Sequence, residues 1–209
     1  MVIFGRRVLY SPVGHGMFHC QRCGGDRQFQ HLVGRRWFHL LFVPLIPLAQ
    51  AGQHVRCAVC GTRYRMEVLN IPTTAQMQEA LPAGMRAAAL AMLRAAGGAG
   101  ESARRRAIEA IRAAGLADYS DQALDADLSA FTSPQAGPDL ARSLSTLAIQ
   151  LAVPARDWFL AEVVRIGLAD GPLSDDERRA VHEIAAQLGM SQVKAHGVIA
   201  VTEEGAQYT

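Results

Sequence analysis

The pattern of apolar and polar positions changes near residue 71. Before it lie short runs that either alternate polar and apolar side chains or are continuously apolar, which is the pattern of β-strands. Strands are predicted at residues 28–33, 37–43 and 63–68. The glycine and arginines at 34–36 predict a hairpin turn, and Pro44 and Pro47 are expected to end the second strand. Residues 1–70 are therefore expected to form a small β domain.

After Ile71 and Pro72 the apolar residues recur at helical spacing. The clearest amphipathic face combines Val181, Ile184, Ala185 and Leu188, and weaker faces start at Met85, Leu140 and Phe159. No β-rich run interrupts these residues, so an all-helical bundle is expected over 71–209. The predicted fold class is α+β, with a small β domain followed by an all-α domain.

A weak internal repeat runs through the helical part at an offset of 73 residues. At this offset, residues 105–107 align with identical residues at 178–180, and Ile111 aligns with Ile184. In both copies a helix is expected to end in a glycine-containing turn before a second helix begins. The repeat predicts a bundle with two related halves.

Composition excludes several classes of protein. The chain has 209 residues, of which 50% are apolar and 19% charged, so wholesale disorder is excluded. Four cysteines are too few for a disulfide scaffold. No window of about 20 residues is continuously apolar, so no membrane-spanning helix is predicted. The first residues carry no secretory signal pattern, and a cytoplasmic location is expected.

Charge is distributed unevenly between the two parts. Residues 1–70 carry nine arginines and only two acids, Asp26 and Glu67, which gives +7 against −5 for the rest of the chain. Three interpretations stay open. Residues 1–70 bind nucleic acid, or they dock on an acidic membrane surface through their arginines and the apolar run at residues 37–49, or the acidic helical domain of the same chain balances their charge.

The strongest chemical signal is a pair of Cys-x-x-Cys motifs formed by Cys20, Cys23, Cys57 and Cys60. Zinc takes four thiolates in a tetrahedron, and a glycine after each second cysteine permits the left-handed conformation of a tight turn. Four cysteines leave no open position for water, so the predicted zinc site is structural and not catalytic. A redox role and substitution by His15, His19 or His54 are the alternatives. The two motifs are separated by 33 residues, more than the about 15–20 of common zinc modules.

Residues 1–68 resemble the zinc ribbons, and more narrowly a small bacterial zinc-ribbon family. The matching segments are 20–25, 36–38, 44–48 and 57–61. The resemblance implies a β-ribbon and bound zinc, but it implies no activity.

The second motif is an acidic turn at residues 169–177. Ser174 and Glu177 have the spacing of a capping box, in which each side chain bonds to the backbone amide of the other. Helix-start chemistry therefore accounts for this turn. The alternative is a second site in which Asp170, Ser174 and Glu177 hold a hard cation. It is not an EF-hand loop, because the twelfth residue counted from Asp170 is Val181 instead of glutamate.

Residues 139–201 resemble the tellurite-resistance TerB family and the related DjlA N-terminal domain. The resemblance is carried by Arg156, by 163–171, by Ser174 and Glu177, and by 184–191. It implies an all-helical bundle with a two-fold internal repeat, and it singles out Asp170, Ser174 and Glu177 for metal or partner binding. The first repeat departs from the pattern, because Gly97 stands at the position of Asp170.

No nucleophile next to a base, no phosphate-binding loop and no paired catalytic acids are found, so an enzyme is not expected. The leading hypothesis is a zinc-binding interaction or stress-response protein, similar to tellurite-resistance proteins, with a protein partner. The alternative hypothesis is nucleic-acid binding through the basic ribbon. Membrane-surface association without a transmembrane segment is a third.

Overall fold

The computed structural model describes residues 4–40, 43–97, 100–130 and 136–206; within these, the side chains of 4–6, 39–40, 43–45 and 136–139 are excepted. The chain divides into two compact units, Met1–Ala75 and Gln76–Thr209. An antiparallel sheet makes up most of the first unit, and the described part of the second is helical. The predicted α+β fold class is confirmed.

The sheet of the first unit is a meander. The three long strands are β1 (Phe4–Cys20), β2 (Gly25–Leu40) and β3 (Val43–Cys57), and the short strand β4 (Arg63–Tyr64) pairs with the end of β3. Neighbours pair antiparallel in chain order. A 3-10 helix at Met66–Asn70 follows. The buried core is small and lies at the cysteine end of the sheet; it consists of Phe18, Cys20, Val55, Cys57 and Val68.

The hairpin turn predicted at residues 34–36 is wrong. Strand β2 continues through these residues and pairs with β1 on one side and β3 on the other. The strand predicted at residues 37–43 ends as part of β2 at Leu40, and residues 41 and 42 lie outside the described part of the chain. The prediction that Pro44 and Pro47 end it is wrong, because both prolines lie within the next strand, β3. They are tolerated because β4 pairs only with Val55 and Arg56, which leaves the proline-containing part of β3 with one described neighbour. An edge strand does not need the amide hydrogen that proline lacks.

The strand predicted at residues 63–68 is shorter than expected. Only Arg63 and Tyr64 pair with β3, and the chain then turns into the 3-10 helix. This turn moves Val68 into the small core next to Phe18 and Val55. The alternating pattern therefore predicts the strand correctly at Arg63 and Tyr64, but the residues from Met66 onward form a 3-10 helix instead.

Seven helices follow among the described residues: α1 (Thr74–Ala95), α2 (Glu101–Ala113), α3 (Asp121–Ala130), α4 (Ala136–Gln150), α5 (Val153–Leu168), α6 (Asp175–Gln187) and α7 (Gln192–Ala206). The predicted apolar faces form one core, in which Met92, Leu147, Phe159 and Val181 are fully buried or nearly so. No helix of the described residues has the length and apolar character needed to cross a membrane.

The helix bounds follow the 73-residue offset of the repeat. Shifted by this offset, α2 begins at residue 174, one residue before α6, and α1 ends at the end of α5. The two related helices differ in how they begin. The N-cap of α6 is Ser174 with a complete capping box, whereas the N-cap of α2 is Gly100, which has no side chain to offer.

Candidate metal centre

Both Cys-x-x-Cys motifs lie at the same edge of the sheet. Cys20 is the last residue of β1 and Cys57 the last residue of β3. Because both strands run antiparallel to β2, they point in the same direction and end near its beginning, at Gly25 and Phe29. The meander thereby brings together two motifs that are far apart in sequence.

Each motif closes into a tight turn. The Cys23 amide donates to the Cys20 carbonyl at 3.1 Å, and the Gly61 amide donates to the Cys57 carbonyl at 3.0 Å. Gly24 and Gly61 have φ angles of 65° and 68°. Residues other than glycine are disfavoured in this left-handed region. The predicted role of the glycine after each second cysteine is confirmed.

The four sulfur atoms form one cluster, with every Sγ within 4.8 Å of the others. The Sγ atoms of Cys20 and Cys60 are 3.8 Å apart. A tetrahedral zinc with Zn–S bonds of about 2.3 Å places its sulfurs about 3.8 Å apart, whereas a disulfide needs about 2.05 Å. All four cysteines are free. The cluster therefore has a donor set and a spacing that can hold a metal ion.

Two hydroxyl groups lie against these sulfurs. The Tyr64 hydroxyl is 3.2 Å from the Cys20 sulfur, and the Thr62 hydroxyl is 3.2 Å from the Cys60 sulfur. The Tyr64 oxygen also accepts a hydrogen bond from the Arg22 amide at 3.3 Å. Such outer contacts orient ligands and offset part of the negative charge that four thiolates collect.

The thiols differ in their tendency to ionise. Hydrogen bonds from the side chain and amide of Thr62 lower the pKa of Cys60 to about 6. Burial and hydrogen bonds to Cys20 and Cys60 raise the pKa of Cys23 to about 12. Burial opposes ionisation of Cys20, but hydrogen bonds from Tyr64 and Cys23 outweigh it and lower the Cys20 pKa. The Cys60 thiol therefore ionises more readily than the Cys23 thiol.

The alternative histidine ligands lie outside the four-residue cluster. His19 Nδ1 is 3.4 Å from a carboxylate oxygen of Asp26. The ring of His54 packs edge-on against Tyr10, with ring centroids 4.7 Å apart. His15 is exposed on β1.

The acidic turn is divided between two helix starts. Glu177 Oε2 accepts hydrogen bonds from the Ser174 amide at 2.8 Å and from the Ser174 hydroxyl at 2.7 Å, and the Glu177 amide donates back to that hydroxyl. The predicted capping box is confirmed. Asp170 instead bonds to the first turn of α2, where it accepts from the Ala103 amide. Cation binding by these three residues stays a prediction.

Among the described residues, the cysteine cluster is the one group of three or more His, Cys, Asp or Glu side chains that can hold a metal. Sequence reasoning missed Thr62 and Tyr64 as its neighbours. A signal was present, because both residues follow Cys60 closely, with Thr62 just before the strand β4 that returns along β3 and Tyr64 within it. Their contacts with Cys20 and Cys60 depend on a fold that the sequence pattern did not specify.

Comparisons with protein-family models, with curated proteins and with solved structures found no match for this chain. The resemblances to the small zinc-ribbon family and to the TerB family therefore have no independent support. The geometry and chemistry of the four sulfurs carry the functional argument.

Proposed function

We propose that this chain is a non-enzymatic, zinc-binding protein whose first unit is held in shape by a four-cysteine zinc site and serves as a binding module. The observation that carries the proposal is the cluster of four free sulfurs within 4.8 Å of one another. Zinc is the metal proposed because four thiolates at tetrahedral spacing suit it best.

The size of the core supports a structural role for the metal. Among its described residues the first unit buries five apolar side chains, and two of these are the ligands Cys20 and Cys57. A unit with so little apolar burial needs a further source of stability, which a structural zinc supplies. Four protein ligands fill the tetrahedron and leave no position for a substrate or a water.

The proposal also assigns a role to the helical unit. It has a large core of its own, and we propose that it assembles with a protein partner. A stress-response role similar to that of tellurite-resistance proteins rests only on the resemblance of residues 139–201 to the TerB family.

Elemental analysis of the purified full-length chain tests the proposal. We expect one zinc per chain, lost in Cys57→Ser and kept in the matched control Val59→Ser, which changes an exposed side chain of the same turn. Native protein without metal, or a disulfide within the cluster under reducing preparation, would overturn it.

A second candidate function, nucleic-acid binding by the ribbon, is favoured by one specific observation. Arg36, Arg56 and Arg63 are exposed, and none of them has an ion-pair partner among the described residues. Register places all three on one side of the sheet.

A further inference from the structure

The sheet has one side that the small core leaves uncovered. Side chains alternate between the two faces of a strand, and directly opposed residues of an antiparallel pair share a face. Phe18, Phe29, Val55 and Tyr64 therefore lie on the core face. The exposed residues of the other side, called the open face, include Tyr10, His15, Met17, Gln28, Gln30, Arg36, Arg56 and Arg63.

The open face is positively charged. Arg56 lies opposite Gln30 on one side and Arg63 on the other, and Arg36 lies further along the same strand as Gln30. The nearest carboxylate by register is Asp26, at the far end of β2. Its two oxygens are occupied, because they accept hydrogen bonds from the amides of Thr74 and Ala75. The arginines thus face solvent with their charge uncompensated by described carboxylates.

A flat aromatic ring lies among these charges. Tyr10 is opposite Gly34, and a Cβ atom placed on Gly34 would be 2.8 Å from Tyr10 Cε1. The missing side chain therefore lets the Tyr10 ring lie across β2. The His54 ring lies at 73° to the Tyr10 ring with centroids 4.7 Å apart, and the Arg63 guanidinium lies over the Tyr10 ring, with its carbon 5.8 Å from the centroid. Tyr10 is nevertheless 43% exposed.

We propose that the open face binds single-stranded nucleic acid, in which a base replaces the exposed Arg63 guanidinium on the Tyr10 ring and phosphates are held by Arg36, Arg56 and the displaced Arg63. An aromatic ring presented on a sheet stacks unpaired bases of any sequence, and arginines supply phosphate contacts. Gln28 and Gln30 offer both donors and acceptors to base edges. The inference deepens the proposed function by naming the partner of the zinc-held unit, and it rests on that function.

The chemistry of the open face favours this occupant over two others. In a duplex the bases are stacked internally, so Tyr10 would have no base face to meet. A lipid surface is bound by basic residues combined with apolar side chains that enter the acyl region. The exposed apolar side chains of the open face are divided between its two ends, with Val8 and Ile46 near Arg36 and Met17 opposite Gln28. Tyr10, His15 and Gln30 lie between these ends, so no continuous apolar surface meets a bilayer.

The test uses fluorescence anisotropy with the zinc-loaded full-length chain and labelled single-stranded RNA and DNA, each longer than the site sizes of about 4–16 nucleotides known for such surfaces. Arg36→Ala is compared with Arg35→Ala. The two arginines are adjacent and both exposed, but Arg35 lies opposite Leu9 on the other face. The two variants therefore remove the same charge, but from opposite faces of the sheet.

We expect Arg36→Ala and Arg56→Ala to weaken binding and to reduce the slope of log affinity against log salt by about 0.7 each. Arg35→Ala should change neither by a comparable amount. Tyr10→Leu should weaken binding about 5- to 140-fold, as loss of one stacked base predicts, and Tyr10→Phe should retain it. Gly34→Ala, which displaces the ring, should resemble Tyr10→Leu.

Equal losses for Arg35→Ala and Arg36→Ala would overturn the inference, because they would indicate attraction without a defined face. Tighter binding to duplex, or to vesicles of anionic lipid, than to single strands would also overturn it. Zinc content and thermal melting are measured on every variant. Stoichiometric zinc without oligonucleotide binding overturns the inference alone, whereas absence of zinc from the wild type overturns the proposed function.

Discussion

Asp170 caps a helix that begins far from it in sequence. Its Oδ1 accepts a hydrogen bond from the Ala103 amide at 3.1 Å, across a separation of 67 residues. Ala103 lies in the first turn of α2, where backbone amides have no intrahelical partner. The N-cap of this helix, Gly100, has no side chain, so the acidic turn before α6 supplies the cap that α2 lacks. This contact links the two halves of the internal repeat.

Removal of this carboxylate should destabilise the helical unit. Asp170→Ala is expected to lower the free energy of unfolding by about 0.5–2 kcal/mol, the usual cost of losing an N-cap acceptor. Asp170→Asn should cost less, because the amide oxygen still accepts from Ala103 while only the attraction of charge to the helix dipole is lost. Urea denaturation followed by circular dichroism measures both. The exposed Asp118 provides the control, since Asp118→Ala should stay within about 0.5 kcal/mol of wild type.

A carbon added at Gly100 should displace the Asp170 carboxylate from its capping position. A Cβ at this position would be 2.8 to 2.9 Å from the Asp170 carboxylate atoms, although the backbone conformation itself, with φ of −63°, suits any residue. Gly100→Ala is therefore expected to destabilise the protein. Gly197→Ala, within α7 and with nothing close to the new carbon, should instead stabilise it by about 0.5–1 kcal/mol. A stabilising Gly100→Ala would show that Asp170 does not occupy the described position.

Sequence patterns were sufficient for the helical unit because its apolar faces are long. Val181, Ile184 and Leu188 recur over two turns, and the structure buries all of them. Sequence patterns also gave the capping box, since Ser174 and Glu177 are three residues apart and act through their own helix start. The Asp170 cap was not predictable, because it depends on how α2 meets a turn 67 residues later.

The sheet was harder to predict, since the same residues serve two purposes. Gly34 is a residue typical of turns, yet it lies within β2, where its missing side chain makes room for the Tyr10 ring. Pro47 is typical of a strand end, but it lies within a part of β3 that has one described neighbour. The place of Gly34 and of Pro47 in the sheet depends on which strands lie beside them, and the pattern of a single strand does not contain that information.

Glu177 distinguishes a helix cap from a cation site. Its Oε2 accepts two hydrogen bonds from Ser174, and the side chain is buried. If capping is its role, Glu177→Gln should retain most of the stability because an amide oxygen also accepts, and Glu177→Ala should lose about 0.5–2 kcal/mol. Calorimetry of the wild type with Ca²⁺, Mg²⁺ and Mn²⁺ should then give no binding heat. Heat that disappears in Glu177→Gln would establish a cation site instead.

Zinc binding should release fewer than four protons near neutral pH. The pKa of Cys60 is lowered to about 6, so this thiol is already ionised and has no proton to release. The pKa of Cys23 is raised to about 12, so it releases one. Below pH 6 Cys60 is protonated in the metal-free protein, and the number released should increase by about one while zinc affinity falls. Calorimetry in buffers of different ionisation enthalpy counts these protons. Release of all four at neutral pH would show that no thiolate is formed before zinc arrives.

The helical unit should fold without zinc. Among the described residues, the small cluster around Phe18 and Val55 extends no further than Ile71, and the large cluster begins at Met77. All four cysteines belong to the small cluster. A fragment of residues 72–209 is therefore expected to give a helical circular dichroism spectrum and a cooperative melt that a zinc chelator does not alter. In the full-length chain, the chelator should affect only the part of the signal that comes from the sheet. A fragment that is disordered, or that becomes helical only when residues 1–71 are added in trans, would show that the two units fold as one.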